Sequence, residues 1–244
     1  MSFPWIEHTA VLTGAAGLVS TPARVWPRQA VAGKTVASST CPAGDALAGL
    51  DALLGAAGRG QVWRGLDRLN VLLGFPHVHY MVLPWQAGLA TQAQWQAYAG
   101  ALLAQRSGVP AERLAVWIEA GRYGEPCLAA AAERDLLHGI DQLMRRHRLR
   151  RGACRALAAD ALLHHARRLP ADALLAVPQP GACSFVARRE NRWEDAFTLC
   201  FAHDDLRRQI AAACAMLGRL PAAVRVADGP MGWLALPEGG AHAC

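Results

Sequence analysis

The chain has 244 residues, of which 53% are hydrophobic and 18% charged, so it can bury a large core and is too apolar for a disordered protein. No stretch approaches the roughly 20 uninterrupted apolar residues that cross a bilayer, so no membrane-spanning helix is expected. The first residues show no basic segment followed by an apolar one, so no signal peptide is expected either. Seven scattered cysteines without a C-x-x-C pair indicate a reducing compartment, and we therefore expect a globular, cytoplasmic protein.

The first part of the sequence predicts a lobe of residues 1–86 made of a β-meander, a helix and a hairpin. Residues 9–40 predict two or three short strands, because glycine and proline interrupt the apolar positions. The leucines of residues 42–57 fall three and four apart, which predicts a helix. Two apolar runs follow, 69–74 and 78–83, and their short separation favours a hairpin.

The second predicted lobe, residues 87–244, alternates single helices with groups of strands, and no linker separates it from the first. Its first helix is expected to begin at Thr91, which has capping-box spacing to Gln94, and to end at Gly108. Residues 154–165 are compatible with a strand or a helix. The other predicted elements are strands at 114–120, 127–131, 174–177, 183–188, 197–202 and 224–227, and helices at 136–144 and 206–217. This order favours an α/β fold with mixed sheets over a doubly wound parallel sheet.

Few motifs that carry chemistry are present. Residues 32–35 (AGKT) match the end of a phosphate-binding P-loop, but Arg28 stands where the first glycine is required, so the segment is interpreted as a turn. His77 and His79 lie two apart without a third metal ligand nearby, and the chain has no G-x-S-x-G or H-E-x-x-H pattern. We therefore predict no catalytic residue and no metal site.

Five arginines cluster where the third predicted helix ends: Arg145, Arg146, Arg148, Arg150 and Arg151. The helix dipole favours positive charge at a C-terminus, so a solvated helix end is the simplest interpretation. The alternative is a docking patch for an acidic segment of a partner protein or for phospholipid head groups. Nucleic acid is not an expected partner, because no aromatic residues are interleaved with the arginines.

The order of several segments resembles one known family. The segments are Val78 to Trp85 (VHYMVLPW), the helix that contains Trp95, and residues 116–118 (VWI), 121–124 (GRYG), 128–131 (LAAA) and 189–193 (RENRW). They resemble the PilM-like, actin-fold proteins of bacterial type IV pilus assembly, to which the cytoplasmic domains of type II secretion L proteins are related. The resemblance extends roughly over residues 60–230 and consists of hydrophobic segments with few fixed residues.

The resemblance implies both a fold and a role. The fold would be actin-like, with two lobes of ribonuclease-H type, although the chain is short for a member with the full set of subdomains. The protein would work in the cytoplasm at the inner membrane, where it would bind the cytoplasmic segment of a membrane-anchored pilus or secretion assembly protein. ATP-binding members hold phosphate with glycine-rich hairpin turns and position Mg²⁺ with nearby carboxylates.

The corresponding turns of this sequence have no carboxylate: they read LTGAAG at residues 12–17 and VPQPG at 177–181. The first hypothesis is therefore a scaffold that binds a partner's peptide, in a groove between lobes or on a sheet edge, with no cofactor and no ATP hydrolysis. A second hypothesis is an ATP-binding switch that uses the backbone amides of Gly14, Gly17 and Gly181. A third is an unrelated enzyme with a catalytic cysteine or histidine.

Overall fold

The computed structural model describes residues 6–14, 16–22, 34–39, 46–57, 64–119, 122–165, 168–201 and 205–227. In this part of the chain the α-helices are α1 (Ala46–Ala56), α2 (Gln92–Ser107), α3 (Arg134–Arg146), α4 (Leu157–His165) and α5 (Leu206–Leu217). The strands are β1 (Ile6–Leu12), β2 (Ala16–Pro22), β3 (Lys34–Ser39), β4 (Arg68–Leu73), β5 (His79–Leu83), β6 (Leu114–Ile118), β7 (Cys127–Glu133), β8 (Arg150–Ala156), β9 (Ala173–Gln179), β10 (Ala182–Arg189), β11 (Arg192–Cys200) and β12 (Val224–Val226). None of these helices is long and apolar enough to cross a membrane.

The chain divides into two compact units that are discontinuous in sequence. The first consists of residues 1–74 and 135–155, and the second of residues 75–134 and 156–244. The units do not coincide with the predicted lobes 1–86 and 87–244, because the chain leaves the first unit after β4 and returns to it at α3. Hydrophobic periodicity along the sequence carries no signal for such a return.

The first unit is built on a five-stranded sheet with the order β3-β2-β1-β4-β8. β1, β2 and β3 form an antiparallel meander, and β4 pairs in parallel with β1. Val71, Leu72 and Leu73 of β4 are all buried, as expected for a central strand that is covered on both faces. Helix α1 lies against β1, β2 and β3, while Ile140 and Met144 of α3 lie near β4.

Strand β8 approaches β4 closely at Gly152. A Cβ atom at this position would lie 2.5 Å from the Leu69 carbonyl oxygen and 2.2 Å from Asn70 Oδ1, so glycine is required. Asn70 Oδ1 accepts a hydrogen bond from Ala153 N at 2.9 Å, and Asn70 Nδ2 donates to Glu7 Oε1 at 2.8 Å. The Asn70 side chain therefore connects β1, β4 and β8.

The second unit contains a four-stranded sheet with the order β11-β10-β9-β12. β9, β10 and β11 form an antiparallel meander, and β12 pairs in parallel with β9. The buried rings of Phe185 and Phe197 lie 5.6 Å apart in the core of this sheet, and α5 contributes Ala213 and Cys214 to the same core. Asp205 caps α5, because its side chain accepts from the backbone N–H groups of residues 207 and 208.

The second unit also contains a three-stranded antiparallel sheet with the order β5-β7-β6, covered by α2. Ala99 and Leu103 of α2 are buried in its core. The predicted ends of α2 are confirmed: Thr91 and Gln94 form a capping box, and Gly108 ends the helix in the left-handed conformation with φ of 74°.

The two meander sheets repeat one chain path. In each, three antiparallel strands are followed by a helix and by a strand parallel to the first: β1-β2-β3-α1-β4 and β9-β10-β11-α5-β12. The predicted α/β class with mixed sheets is therefore confirmed.

One local prediction is wrong: residues 69–74 and 78–83 do not form a hairpin. β4 pairs with β1 and β8, whereas β5 pairs with β7 in a different sheet. Two apolar runs separated by a short turn favour local pairing, but β4 is buried on both faces, and the longer-range partners provide that burial. Residues 154–165 contain both of the predicted alternatives, because β8 ends at Ala156 and α4 begins at Leu157.

Candidate functional site

The turn between the first two strands of each meander holds the candidate phosphate-binding glycines. At the first turn, Gly14 is exposed and Thr13 is buried. Gly17 lies outside this turn, in the buried part of β2, where it is opposite Val11 of β1 and Ser38 of β3. Of the two glycines, Gly14 is therefore the one whose backbone lies at the tip of the hairpin.

The second turn is supported from the inside of the unit by Gln179. Gly181 has a φ of 70°, a conformation that favours glycine, and its carbonyl oxygen accepts from Phe201 N at 3.0 Å. Gln179 is 5% exposed; its Oε1 accepts from Phe75 N at 2.7 Å and its Nε2 donates to Ser184 Oγ at 2.7 Å. Because both ends of the amide are engaged, Gln179 supports the turn rather than presenting a group to a ligand.

These turns can offer backbone N–H groups to an anion but no ligands to a cation. Their sequences contain no aspartate or glutamate, and Mg²⁺ is held by oxygen ligands, commonly carboxylates. Across the described ranges of the chain, no group of three or more His, Cys, Asp or Glu side chains is placed to hold a metal ion.

The arginine cluster lies at the C-terminal end of α3 and the start of β8, and its five side chains are all exposed. Helix α3 ends with Leu149 N donating to Met144 O at 2.8 Å, while Arg148 adopts the left-handed conformation with φ of 55°. This geometry is that of a C-terminal cap in which glycine is the usual residue. Arg148 therefore occupies a strained backbone position.

Three arginines of the cluster have partners within the first unit. Arg146 Nη1 lies 2.8 Å from Asp51 Oδ2 of α1, and Arg151 Nη1 lies 3.5 Å from Asp141 Oδ2 of α3. Arg150 Nε donates to the carbonyl oxygen of residue 65 at 3.1 Å. These contacts attach the ends of α3 and β8 to neighbouring elements of the unit.

Arg145 and Arg148 have no carboxylate partner among the described residues, so their guanidinium groups face solvent. Two carboxylates accompany five guanidinium groups, which leaves the cluster with a net charge of +3. Guanidinium groups bind carboxylates in a bidentate manner. The part of the cluster that is available to an acidic partner is therefore centred on Arg145 and Arg148.

Three cysteines are buried or half-buried and carry no activated thiol. Burial raises the pKa of Cys154 to about 11 and that of Cys183 to about 12. Burial, with the nearby Glu119 carboxylate, also raises the pKa of Cys127. These thiols stay protonated at neutral pH and are poor nucleophiles. Cys41 and Cys244 lie outside the described residues.

The two candidate histidines lie at the start of the three-stranded sheet, His77 before β5 and His79 as its first residue. Burial lowers the pKa of His79; Arg106 lowers it further, and Glu133 opposes the change. His79 is therefore held mainly neutral in the folded protein.

Glu119, an exposed residue directly after β6 in the second unit, is a carboxyl group that the sequence does not indicate. Burial raises the pKa of Glu119, although a hydrogen bond from the Trp193 side chain and the charge of Arg188 act in the opposite direction. The guanidinium carbon of Arg188 lies 5.6 Å from the centre of the Trp193 ring. Glu119 follows β6 whereas the other two belong to β10 and β11, so no sequence pattern could have joined them.

A second polar cluster lies in the second unit around Arg219, which follows the C-cap residue Gly218 of α5. Arg219 Nη1 donates to Asp172 Oδ1 at 2.6 Å, and Arg219 Nε donates to Glu194 Oε2 at 3.0 Å. The hydrogen bond from Arg219 holds the pKa of Asp172 below its usual range. Since the Arg219 side chain is only 17% exposed, this cluster is a structural clamp.

No protein-family model matches this sequence, and no curated protein matches it. Among solved structures, a protein from Bacteroides thetaiotaomicron VPI-5482 with an actin-like ATPase fold and unknown function is similar, with a TM-score of 0.59 and 8% identity over 88% of this chain and 78% of that chain. The cytoplasmic domain of EpsL, an inner membrane component of the type II secretion system of Vibrio cholerae, has a TM-score of 0.49 and 13% identity over 80% and 71% of the two chains. A PilM–PilN type IV pilus biogenesis complex has a TM-score of 0.48 and 17% identity over 86% and 65%.

The similarity to the Bacteroides protein shows that this chain has an actin-like fold, as the resemblance to the PilM-like family implied. A fold of this kind is shared by proteins with different activities, so function has to be argued from individual residues.

Proposed function

We propose that this protein is a cytoplasmic scaffold of type IV pilus or type II-like secretion assembly. In this role it binds the cytoplasmic segment of a membrane-anchored assembly protein and does not hydrolyse ATP. The proposal is supported by the resemblance of residues 78–85, 116–118, 121–124 and 128–131 to the PilM-like family. The actin-like fold is consistent with it.

The observation that carries the proposal is the chemistry of the two hairpin turns. Phosphoryl transfer requires a metal ion bridging the phosphates and side chains that orient it. The tip around Gly14 has no carboxylate, and at the second turn the one polar side chain, Gln179, is used internally. Turns of this composition suit a protein that uses the actin-like fold to bind a partner and not to transfer a phosphoryl group.

The partner surface in this proposal is the arginine cluster, and its partner is an acidic segment of a protein. Arg145 and Arg148 are exposed and are not neutralised by a described carboxylate, so they can form charge-assisted hydrogen bonds with aspartate or glutamate. The same charge would hold the protein peripherally at an anionic inner membrane, since each arginine near such a surface contributes about 1 kcal/mol.

Quantitative affinity capture from native cells tests the proposal. Tagged wild-type protein should enrich a membrane-anchored pilus or secretion assembly component, and the double variant Arg145→Ser, Arg148→Ser should lose most of it. The matched control is Arg207→Ser, Arg208→Ser, which removes two exposed charges from α5 in the second unit and should retain the component. Enrichment of no envelope-assembly protein by the wild type would refute the role.

A thermal melt with Mg-ATP tests the nucleotide part separately. A ligand at about 100 times its dissociation constant adds roughly 2.7 kcal/mol, which for a chain of this length raises the midpoint by several degrees. We expect no rise. A clear rise that Gly14→Val abolishes would support the ATP-binding switch instead.

A further inference from the structure

An exposed group of aromatic rings surrounds the start of α2 in the second unit. Trp85 follows β5, Trp95 and Tyr98 lie on α2, and Tyr123 lies in the turn between β6 and β7. The ring centres are 4.7 Å apart for Trp85 and Tyr123, 5.4 Å for Trp85 and Trp95, and 6.2 Å for Trp95 and Tyr98. The four rings thus form one continuous ladder, which we call the aromatic face.

The aromatic face is accessible although it consists of large rings. Tyr123 is 88% exposed, and the other three rings are partly exposed. Trp95 Nε1 donates to Leu89 O at 3.1 Å, but within the described residues neither the Trp85 indole N–H nor the Tyr123 hydroxyl has a hydrogen-bond partner. The core of the sheet does not need Tyr123, and a solvent-exposed ring held against a tryptophan is typical of a binding surface.

The segment that holds Trp85, Trp95 and Tyr98 carries no charge, whereas Tyr123 lies between Arg122 and Glu125. From Tyr80 to Gln105 the sequence contains no Asp, Glu, Lys, Arg or His, although 18% of the whole chain is charged. Exposed positions of α2 are occupied by glutamine and alanine as far as Gln105, among them Gln92, Gln96 and Ala97, and the exposed Arg106 follows in the last turn. Depletion of charge together with aromatic enrichment distinguishes the core of an interface from an ordinary solvated surface.

We propose that the aromatic face binds an uncharged, proline-rich segment of the scaffold's partner in the polyproline II conformation. This inference rests on the proposed function as a partner-binding protein and names a second contact surface for it. Proline rings pack against aromatic side chains, and such a segment is already extended, so little entropy is lost on binding. Its carbonyl groups have no internal donors and would accept from the Trp85 indole N–H and the Tyr123 hydroxyl.

The charge and spacing of the face argue against other occupants. A charged peptide would lose hydration against Trp85, Trp95 and Tyr98, whose segment offers no counter-charge. Arg122 and Glu125, beside Tyr123, are the charges next to the face in sequence, and their opposite signs favour neither an acidic nor a basic peptide. A methylated ammonium group needs a cage with ring faces around the cation. Here neighbouring rings at 4.7 and 5.4 Å contact each other, so no cation fits between them.

Titration of the ¹⁵N-tryptophan-labelled 244-residue chain with a blocked, uncharged oligoproline peptide tests this inference. Saturable shifts of the Trp85 and Trp95 indole signals are expected, with a dissociation constant below about 1 mM. A blocked Gly-Ser peptide of equal length should produce no shifts. Tyr123→Ser should weaken oligoproline binding roughly fivefold to tenfold, because the most exposed of the four rings is removed. Tyr123 is nearly fully exposed, so this variant should keep the wild-type melting temperature.

The control variant is Leu220→Ser, which removes a side chain that is 84% exposed and lies outside the aromatic face. It should bind oligoproline like the wild type. Absence of saturable shifts, equal binding of both peptides, or undiminished binding by Tyr123→Ser would each overturn the inference. Wild-type self-association that Tyr123→Ser abolishes would identify a second copy as the occupant and overturn it as well. If oligoproline fails to bind while affinity capture still recovers an assembly protein through Arg145 and Arg148, this inference fails and the proposed function stands.

Discussion

Replacing Arg148 by glycine should stabilise the protein, although it removes an exposed arginine from the proposed docking cluster. Arg148 follows α3 with φ of 55°, and an L side chain in this conformation costs about 1 to 2 kcal/mol. Glycine removes that strain but gains freedom in the unfolded chain, which costs about 0.4 to 1 kcal/mol. The net stabilisation should therefore be about 0.5 to 1 kcal/mol, or an increase of about 1 to 4 °C in the melting temperature.

The measurement is a thermal melt and a denaturant titration of the wild type, Arg148→Gly and Arg148→Ala. Arg148→Ala removes the same charge but keeps a Cβ atom, so it should melt close to the wild type. If alanine stabilises as much as glycine, relief of charge repulsion explains the gain and the argument from backbone strain is refuted. If neither variant is stabilised, Arg148 does not hold the left-handed cap in solution.

The same pair of variants separates stability from binding. Both lack one of the two arginines without a described carboxylate partner, so both should capture less of an acidic partner, while only glycine raises the melting temperature. Opposite changes in stability and binding for Arg148→Gly would indicate that arginine is placed here for recognition. Unchanged capture by both variants would leave recognition to Arg145.

Three further predictions concern the second unit. Arg219→Met should destabilise the protein by about 2 to 3 kcal/mol in a denaturant titration, because charge-assisted hydrogen bonds to two carboxylates are lost. The control is Arg208→Met: the Arg208 side chain is 85% exposed, so its loss should change stability by less than about 0.5 kcal/mol. Tyr80→Phe should cost about 1 to 3 kcal/mol in the same assay, because the buried hydroxyl accepts from Ala158 N at the start of α4, at 3.1 Å, and equal stability would contradict that role. The pKa of His79 is lower in the folded protein than the unfolded value of 6.5, so the free energy of unfolding should be unaffected by this group above pH 6.5 and fall as the pH drops below it. His79→Gln should reduce this fall between neutral pH and pH 5. An identical pH profile of the variant would assign the fall to other groups.

Elements with strong local signals were predicted well from the sequence. The capping box of Thr91 and Gln94 and the left-handed Gly108 are set by contacts within a few residues, and α2 has the expected ends. The turn at Gly181 and the start of α5 at Asp205 follow from local chemistry in the same way. Such features need no knowledge of distant partners.

The pairing of β4 and β5 could not be obtained in this way. An apolar run such as Val71 to Leu73 fits a hairpin strand as well as a central parallel strand, and the decision depends on β1 and β8, which lie far away in sequence. The same limitation applies to the division into compact units, because the hydrophobic periodicity of α3 does not indicate that this helix belongs to the first unit. Gly152 is consistent with the pairing of β4 and β8, since its close approach to β4 requires glycine. A glycine in a strand has several explanations, however, so the sequence alone does not predict this pairing.

The arginine cluster was visible in the sequence, but its internal pairing was not. Arg146 and Arg151 are partly neutralised by Asp51 and Asp141, and only the packing of α3 shows that Arg145 is left to solvent. The aromatic face is harder to predict from the sequence, because the rings of Tyr123 and Trp85 come into contact only when β5 pairs with β7. The run without charge from Tyr80 to Gln105 was the available signal.

Both proposed contact surfaces lie on elements outside the repeated chain path. The arginine cluster belongs to α3 and β8, and the aromatic face to β5, α2 and the turn between β6 and β7. The repeated path, β1-β2-β3-α1-β4 and β9-β10-β11-α5-β12, is determined by burial: its hairpin tips carry small or internally bonded residues. The exposed arginines and Tyr123 contribute little to burial, so folding does not require them at these positions. Variants at these surfaces should therefore change binding and leave the fold intact, whereas variants at the turns should act through stability.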